Sequence, residues 1–163
     1  MRIIATENYE AMSHQAANIV ASQITLKPDS VLGLATGSSP IGLYKELIAR
    51  YEKGDLDFSK IKSVNLDEYV GLATTHDQSY RYFMQDNLFN HVNIDVANTY
   101  VPNGMASDPE AECKRYDEVI QSMGGVDIQV LGLGHNGHIG FNEPSDVFHL
   151  GTYLVNLKEG TID

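Results

Sequence analysis

Apolar positions along the chain fall into two alternating spacings. Arg2 to Ala5 is a short apolar run with the character of a strand, and from Asn8 to Gln23 Met12, Ala16, Ile19 and Val20, with Ile24 just beyond, take the three-and-four spacing of an amphipathic helix. Pro28, Asp29 and Ser30 break that pattern. Val31 to Ala35 then reads as a strand buried on both faces, because it shows no polar alternation. After Pro40 a helical stripe returns with Ile41, Tyr44, Leu47, Ile48 and Tyr51, and Gly54 and Asp55 end it. The next strand is expected over Ile61 to Leu66, a helix over about Gln78 to Leu88 and a short strand over Asn98 to Val101. Asp108 and Pro109 have the chemistry of an N-cap and first helical position for a helix through Ile120. Val126, Ile128 and Val130 mark a buried strand that runs straight into a glycine-rich loop, and Thr152 to Leu157 is a last apolar segment.

Strands alternating with helices predict an α/β fold: an open, mostly parallel, Rossmann-like sheet with helices on both faces. At 163 residues the chain suits a single domain, 1–163. Ligands of such sheets sit beyond the carboxyl ends of the strands. Three polar loops leave those ends: TGSSP after Ala35, DEY after Leu66, and HNGHIGFNE after Gly134. They are expected to converge.

Composition narrows the partners. Hydrophobic residues at 42% and charged residues at 20% are ordinary for a folded globular chain, which makes disorder a poor explanation. A net charge of −11 repels nucleic acid and anionic membranes over most of the surface, so neither is an expected partner. The lone cysteine, Cys113, excludes an internal disulfide framework and suits a small, partly buried helix position. No signal-peptide run and no span-length apolar stretch is present, and the expected location is cytoplasmic.

The loops carry the candidate chemistry. In TGSSP, Thr36, Ser38 and Ser39 offer hydroxyls and Gly37 permits close backbone approach just before a helix start, which is the physics of a phosphate site. The plainer alternative is that Ser39 merely caps the helix. Asp67 and Glu68 leave an apolar strand, where partial burial can raise a carboxyl toward general-base duty; alternatively both are solvated or cap a helix. Gly132, Gly134 and Gly137 spell G-x-G-x-x-G, but Gly140 and Pro144 interrupt the helix that a dinucleotide fingerprint requires. His135, His138 and Glu143 match no zinc spacing. What remains is His138 with Glu143 as an acid/base unit, the carboxylate orienting the ring, or else an ordinary capping histidine. The residues by themselves reach an enzyme for a small, phosphorylated substrate, working by carboxylate and histidine proton transfer without a cofactor or metal.

LATGSSP, NLDEYVGL, SYRYFM and LGLGHNGHIGFNEP, in this order and spacing, resemble the glucosamine-6-phosphate deaminases of the compact bacterial type over essentially the whole chain. The related 6-phosphogluconolactonases share the first and third loops, while NLDEYVGL and GFNEP favour the deaminases. The resemblance implies a deaminase or ribose-phosphate-isomerase-like fold, an amino-sugar phosphate as the small-molecule substrate, and conversion of glucosamine 6-phosphate and water to fructose 6-phosphate and ammonia. It implies Asp67 as the base that moves a proton from C2 to C1. His138 opens the pyranose ring with Glu143 and Asn136 in support, and Thr36, Gly37, Ser38 and Ser39 bind the phosphate. It leaves open a monomer or a homo-oligomer. Two departures follow from it. Many relatives have aspartate where this chain has Asn136. The family also continues past Asp163 with a lid, an arginine and a lysine that complete the phosphate site; Arg81 and Lys45 are the cations here that could in principle substitute, though neither position in the sequence supports that role. The expectation is a domain incomplete at its C-terminus, with exposed apolar surface and weak substrate binding; a lactonase or a non-catalytic sugar-phosphate-binding fragment are the alternatives.

Overall fold

In the computed structural model, which describes residues 1–157, Val31–Leu34 (β1) forms the middle of the sheet and is buried along its whole length. Lys62–Asn65 (β2) pairs with it on one side and Ile128–Gln129 (β4) on the other, with Thr99–Tyr100 (β3) beyond β2. The order is β3-β2-β1-β4 and every pairing is parallel. Parallel strands need crossovers, which are supplied by helices Tyr9–Leu26 (α1), Ile41–Glu52 (α2), Tyr80–Asn87 (α3) and Pro109–Ser122 (α4).

Side chains alternate across a strand, so β1 feeds two cores. Leu32 and Leu34 join Val20, Ile24, Leu43, Tyr44 and Leu47 of α1 and α2, with Met84 of α3 in the same cluster. Val31 joins Val64 of β2 and Tyr116 of α4 on the opposite face. Helices therefore lie on both faces. The helix starts follow the cap chemistry: Asn8 accepts the Ala11 N–H at 2.8 Å, Asp108 accepts that of Ala111 at 3.0 Å with Pro109 first in α4, and Ser79 accepts that of Tyr82 at 3.3 Å. Cys113 is partly buried in α4.

Three expected elements differ. Arg2 to Ala5 is not a strand: it pairs with no other described strand, and Ile3 stays 80% exposed. The run from Val126 keeps only Ile128–Gln129 in the sheet and is half-buried, because β4 pairs with β1 alone and its outer edge meets no described strand. Thr152 to Leu157 is irregular chain, tied to α4 where Asp117 accepts the Thr152 N–H at 2.9 Å and its hydroxyl at 2.6 Å. Large apolar side chains at Leu133, Phe148 and Leu150 are exposed. The domain end expected at Asp163 lies outside the described residues.

Candidate active site

Two buried tyrosines fix where the first two loops begin. The Tyr44 hydroxyl, from α2, donates to the Ala35 carbonyl and accepts the Ala35 N–H at 3.1 Å, one residue before Thr36. The Tyr116 hydroxyl, from α4, accepts the Asn65 N–H at 3.1 Å and lies 2.7 Å from the Asn65 carbonyl and 3.0 Å from that of Tyr100, two residues before Asp67. Each phenol takes up backbone groups at the point where a parallel ladder ends, which would otherwise be buried and unpaired. Sequence periodicity gives Tyr44 as one more apolar stripe position. The signal that could have marked these residues is a tyrosine, rather than leucine or phenylalanine, at a position that ends fully buried.

Asp67 and Glu68 leave β2 together and do different work. The Asp67 Oδ2 accepts the Phe141 N–H at 3.1 Å, which docks the loop carrying His138 onto the end of β2. Burial pushes the Asp67 carboxyl up to about 6, against the opposing pull of that N–H; the neighbouring Glu68 charge adds to the rise. Glu68 is a helix cap, one of the alternatives left open for it. It accepts the Ser79 hydroxyl at 2.8 Å and the N–H groups of Tyr80 at 2.9 Å and Arg81 at 3.0 Å, where the start of α3 also favours negative charge. NLDEYVGL and SYRYFM are thus one structural unit. Glu68→Ala is expected to lower stability by about 2 kcal/mol, since it orphans the three donors at the start of α3 and the Tyr69 N–H, and urea unfolding measures it.

His138 is oriented by Asn136. The His138 N–H donates to Asn136 Oδ1 at 3.1 Å, so that atom is the amide oxygen, and the same oxygen lies 2.7 Å from His138 Nδ1. An acceptor there requires a hydrogen on Nδ1, which leaves the lone pair of the neutral ring on Nε2. Asn136 Nδ2 donates to Glu143 Oε2 at 2.8 Å, so the carboxylate holds the far side of the amide that holds the ring. The ring lies against Gly134, where a Cβ would sit 2.1 Å from it. A side chain at Gly134 would displace the imidazole. Among the described residues no group of three His, Cys, Asp or Glu is arranged to hold a metal ion.

The TGSSP loop is held from α1. The Tyr9 hydroxyl lies 3.0 Å from the carbonyls of Ser38 and Ser39 and accepts the Gly42 N–H at 2.8 Å. Ser39 does not cap α2: Pro40 occupies the cap position with no side-chain bond, and Ser38 and Ser39 are exposed. Gly37 has φ +89°, a conformation that a side chain would strain. The first turn of α2 carries no acidic residue, as an anion site there requires. Thr36 lies beside the Tyr80 hydroxyl, which itself senses Asp67, so the three loops meet. A cleft of about 720 Å³ opens from Asp67, Glu68 and Phe141 along the α4 face past Tyr116 and Gln129. Of the candidate residues read from sequence, Asp67 and Glu68 line it, while Thr36, Gly37, Ser38, Ser39, Asn136, His138 and Glu143 lie outside it.

A family model described as glucosamine-6-phosphate isomerases/6-phosphogluconolactonase matches residues 5–140. A glucosamine-6-phosphate deaminase of Clostridium perfringens is 62% identical over 163 residues, all of this chain and 67% of its own length. One of Lachnoclostridium phytofermentans is 60% identical over 162 residues, 99% of this chain and 69% of its own. Among solved structures, a monomeric glucosamine-6-phosphate deaminase superposes with a TM-score of 0.95 at 46% identity, covering 99% of this chain and 67% of that one. A 6-phosphogluconolactonase from Thermotoga maritima superposes at 0.71 with 21% identity over 86% of this chain and 63% of its own, a likeness of fold alone.

Proposed function

Because this chain belongs to the glucosamine-6-phosphate isomerase/6-phosphogluconolactonase family, we propose that it converts glucosamine 6-phosphate and water to fructose 6-phosphate and ammonia. The observation that carries the reading is the half-buried Asp67 carboxyl, held at the end of β2 by the Phe141 N–H of the loop that presents His138. His138 Nε2 takes the proton of the C1 hydroxyl and delivers it to the ring oxygen as the C1–O5 bond breaks. Asp67 then removes the C2 proton of the open aldose while the C2 ammonium gives one of its protons to O1, which leaves an enolamine, and Asp67 returns the C2 proton to C1. The product is a 2-imine, which water hydrolyses to the ketose and ammonia. A carboxyl near 6 suits both halves of that transfer, since it is ionised at neutral pH yet close enough to hold a proton between carbons.

Thr36, Gly37, Ser38 and Ser39 receive the phosphate, supported by the α2 start behind them. Asn136 and Glu143 keep the His138 tautomer. Sugar phosphates are charged and stay within the compartment that makes them, so the enzyme works in the cytoplasm, and as a monomer like the solved deaminase of 46% identity. No described helix is long and apolar enough to cross a membrane. The test is ammonia release from glucosamine 6-phosphate by the 163-residue chain, run beside hydrolysis of 6-phosphogluconolactone. Hydrolysis of the lactone with no ammonia from the amino sugar overturns the proposal.

A further inference from the structure

The rings of Tyr69, Tyr80 and Phe141 meet beside Asp67, each from a different segment: the loop after β2, the first residue of α3 and the loop that carries His138. Their centroids lie 5.0 Å apart for Tyr69 and Tyr80, 5.1 Å for Tyr69 and Phe141, and 5.5 Å for Tyr80 and Phe141, the last pair stacked with planes 26° apart. The Tyr80 hydroxyl lies 3.4 Å from that of Tyr69 with Thr36 beside it. One side chain therefore meets all three loops at the strand ends. Glu68 pins its backbone by accepting the Tyr80 N–H, so the ring is presented from a fixed point.

We propose that Tyr80 is a positioning residue: its ring, packed against both Tyr69 and Phe141, closes the wall beside Asp67 and sets the distance from which the Phe141 N–H reaches that carboxylate. The proposal deepens the deaminase reading, on which the role of Asp67 rests. A stacked pair of aromatic rings is suited to the task, because a flat side chain with two torsions fills the gap between loops and holds one relative placement. Burial pushes the Tyr80 phenol well above its ordinary value, so it stands as a neutral wall and not as a second anion next to Asp67. Apart from Tyr80, the titratable groups around Asp67 include Glu68 beside it, Tyr116 from α4 and Tyr69, whose hydroxyl lies 3.4 Å from that of Tyr80, and all three are kept in both variants below.

The experiment is a ¹³C NMR titration of the Asp67 carboxyl in the 163-residue chain and in its Tyr80→Phe and Tyr80→Ala variants, with far-UV circular dichroism to establish that each is folded. Tyr80→Phe keeps the ring and is expected to leave the midpoint within about 0.3 of a pH unit. Tyr80→Ala opens the wall to water and is expected to lower the midpoint by about one pH unit, burial being the larger cause of the raised value. In turnover assays the acidic limb of kcat/KM is expected to follow the same displacement, with kcat falling about tenfold and KM changing less. An Ala variant that titrates like the parent, or a Phe variant displaced as far as Ala, overturns the proposal. The titration needs no substrate. A displaced midpoint in a chain that releases no ammonia would sink the deaminase reading and leave the positioning role standing.

Discussion

Replacing Asp67 by Asn is expected to cut ammonia release by about a thousandfold or more and, at neutral pH, to make the fold more stable. The first effect follows from the chemistry: an amide has no lone pair basic enough to take a proton from C2, and the variant retains only binding and His138. The second follows from burial. A carboxyl raised from its ordinary 3.8 to about 6 binds its proton more tightly in the folded chain than in the unfolded one. The fold therefore keeps its full stability below about pH 3.8, loses it progressively as pH rises toward 6, and above 6 carries a penalty of about 3 kcal/mol. Asn is neutral throughout and can still accept the Phe141 N–H. Allowing for the new, partly buried amide donors, a net gain of about 1 to 2 kcal/mol is expected in urea unfolding at pH 7.5, shrinking to nothing below pH 4. A variant that is less stable than the parent at both pH values would contradict the burial argument, whatever its activity.

Asn136→Leu is the second large effect. Leucine matches the amide in size but removes both the acceptor at His138 Nδ1 and the donor to Glu143. The ring is then free to carry its hydrogen on either nitrogen and to turn, and kcat is expected to fall about a hundredfold with a smaller change in KM. Nitrogen-15 shifts of the imidazole read the cause directly: the parent should show hydrogen on Nδ1 and the variant a mixture. Asn136→Asp restores the acceptor but sets a carboxylate against Glu143, where the parent has an amide N–H at 2.8 Å, so its recovery should be partial. An unchanged tautomer in Asn136→Leu would remove the amide from the account of the site.

Much of the fold was readable because it is local. The stripe from Met12 to Ile24, the cap and proline at Asp108 and Pro109, and the unbroken apolar run at Val31 each carry their own structural signal. The misreadings have non-local causes. Arg2 to Ala5 has the composition of a strand, but a strand exists only where another offers an unpaired edge. Burial of the run from Val126 depends on what lies beyond β4, which no window of sequence contains. At the site, the three loops were legible as loops and Asp67 as a carboxyl leaving an apolar strand. The division of labour within Asp67-Glu68 was not, since the partners of Glu68 lie eleven to thirteen residues away across an irregular segment. Likewise the reading that pairs His138 with Glu143 puts a carboxylate behind the imidazole, whereas the oxygen at Nδ1 belongs to the Asn136 amide two residues before it, and Glu143 holds that amide.

Tyr44 and Tyr116 impose a rule on how such a chain can vary. Each phenol has a fixed reach from its helix axis and grips a particular peptide, that of Ala35 or Asn65, at the head of a loop. An added or deleted residue between strand and gripped peptide would put the wrong backbone groups under the hydroxyl and rotate everything downstream. Length changes are therefore affordable only past those grips, and the two tyrosines divide the part of each crossover open to evolutionary tinkering from the part that is not.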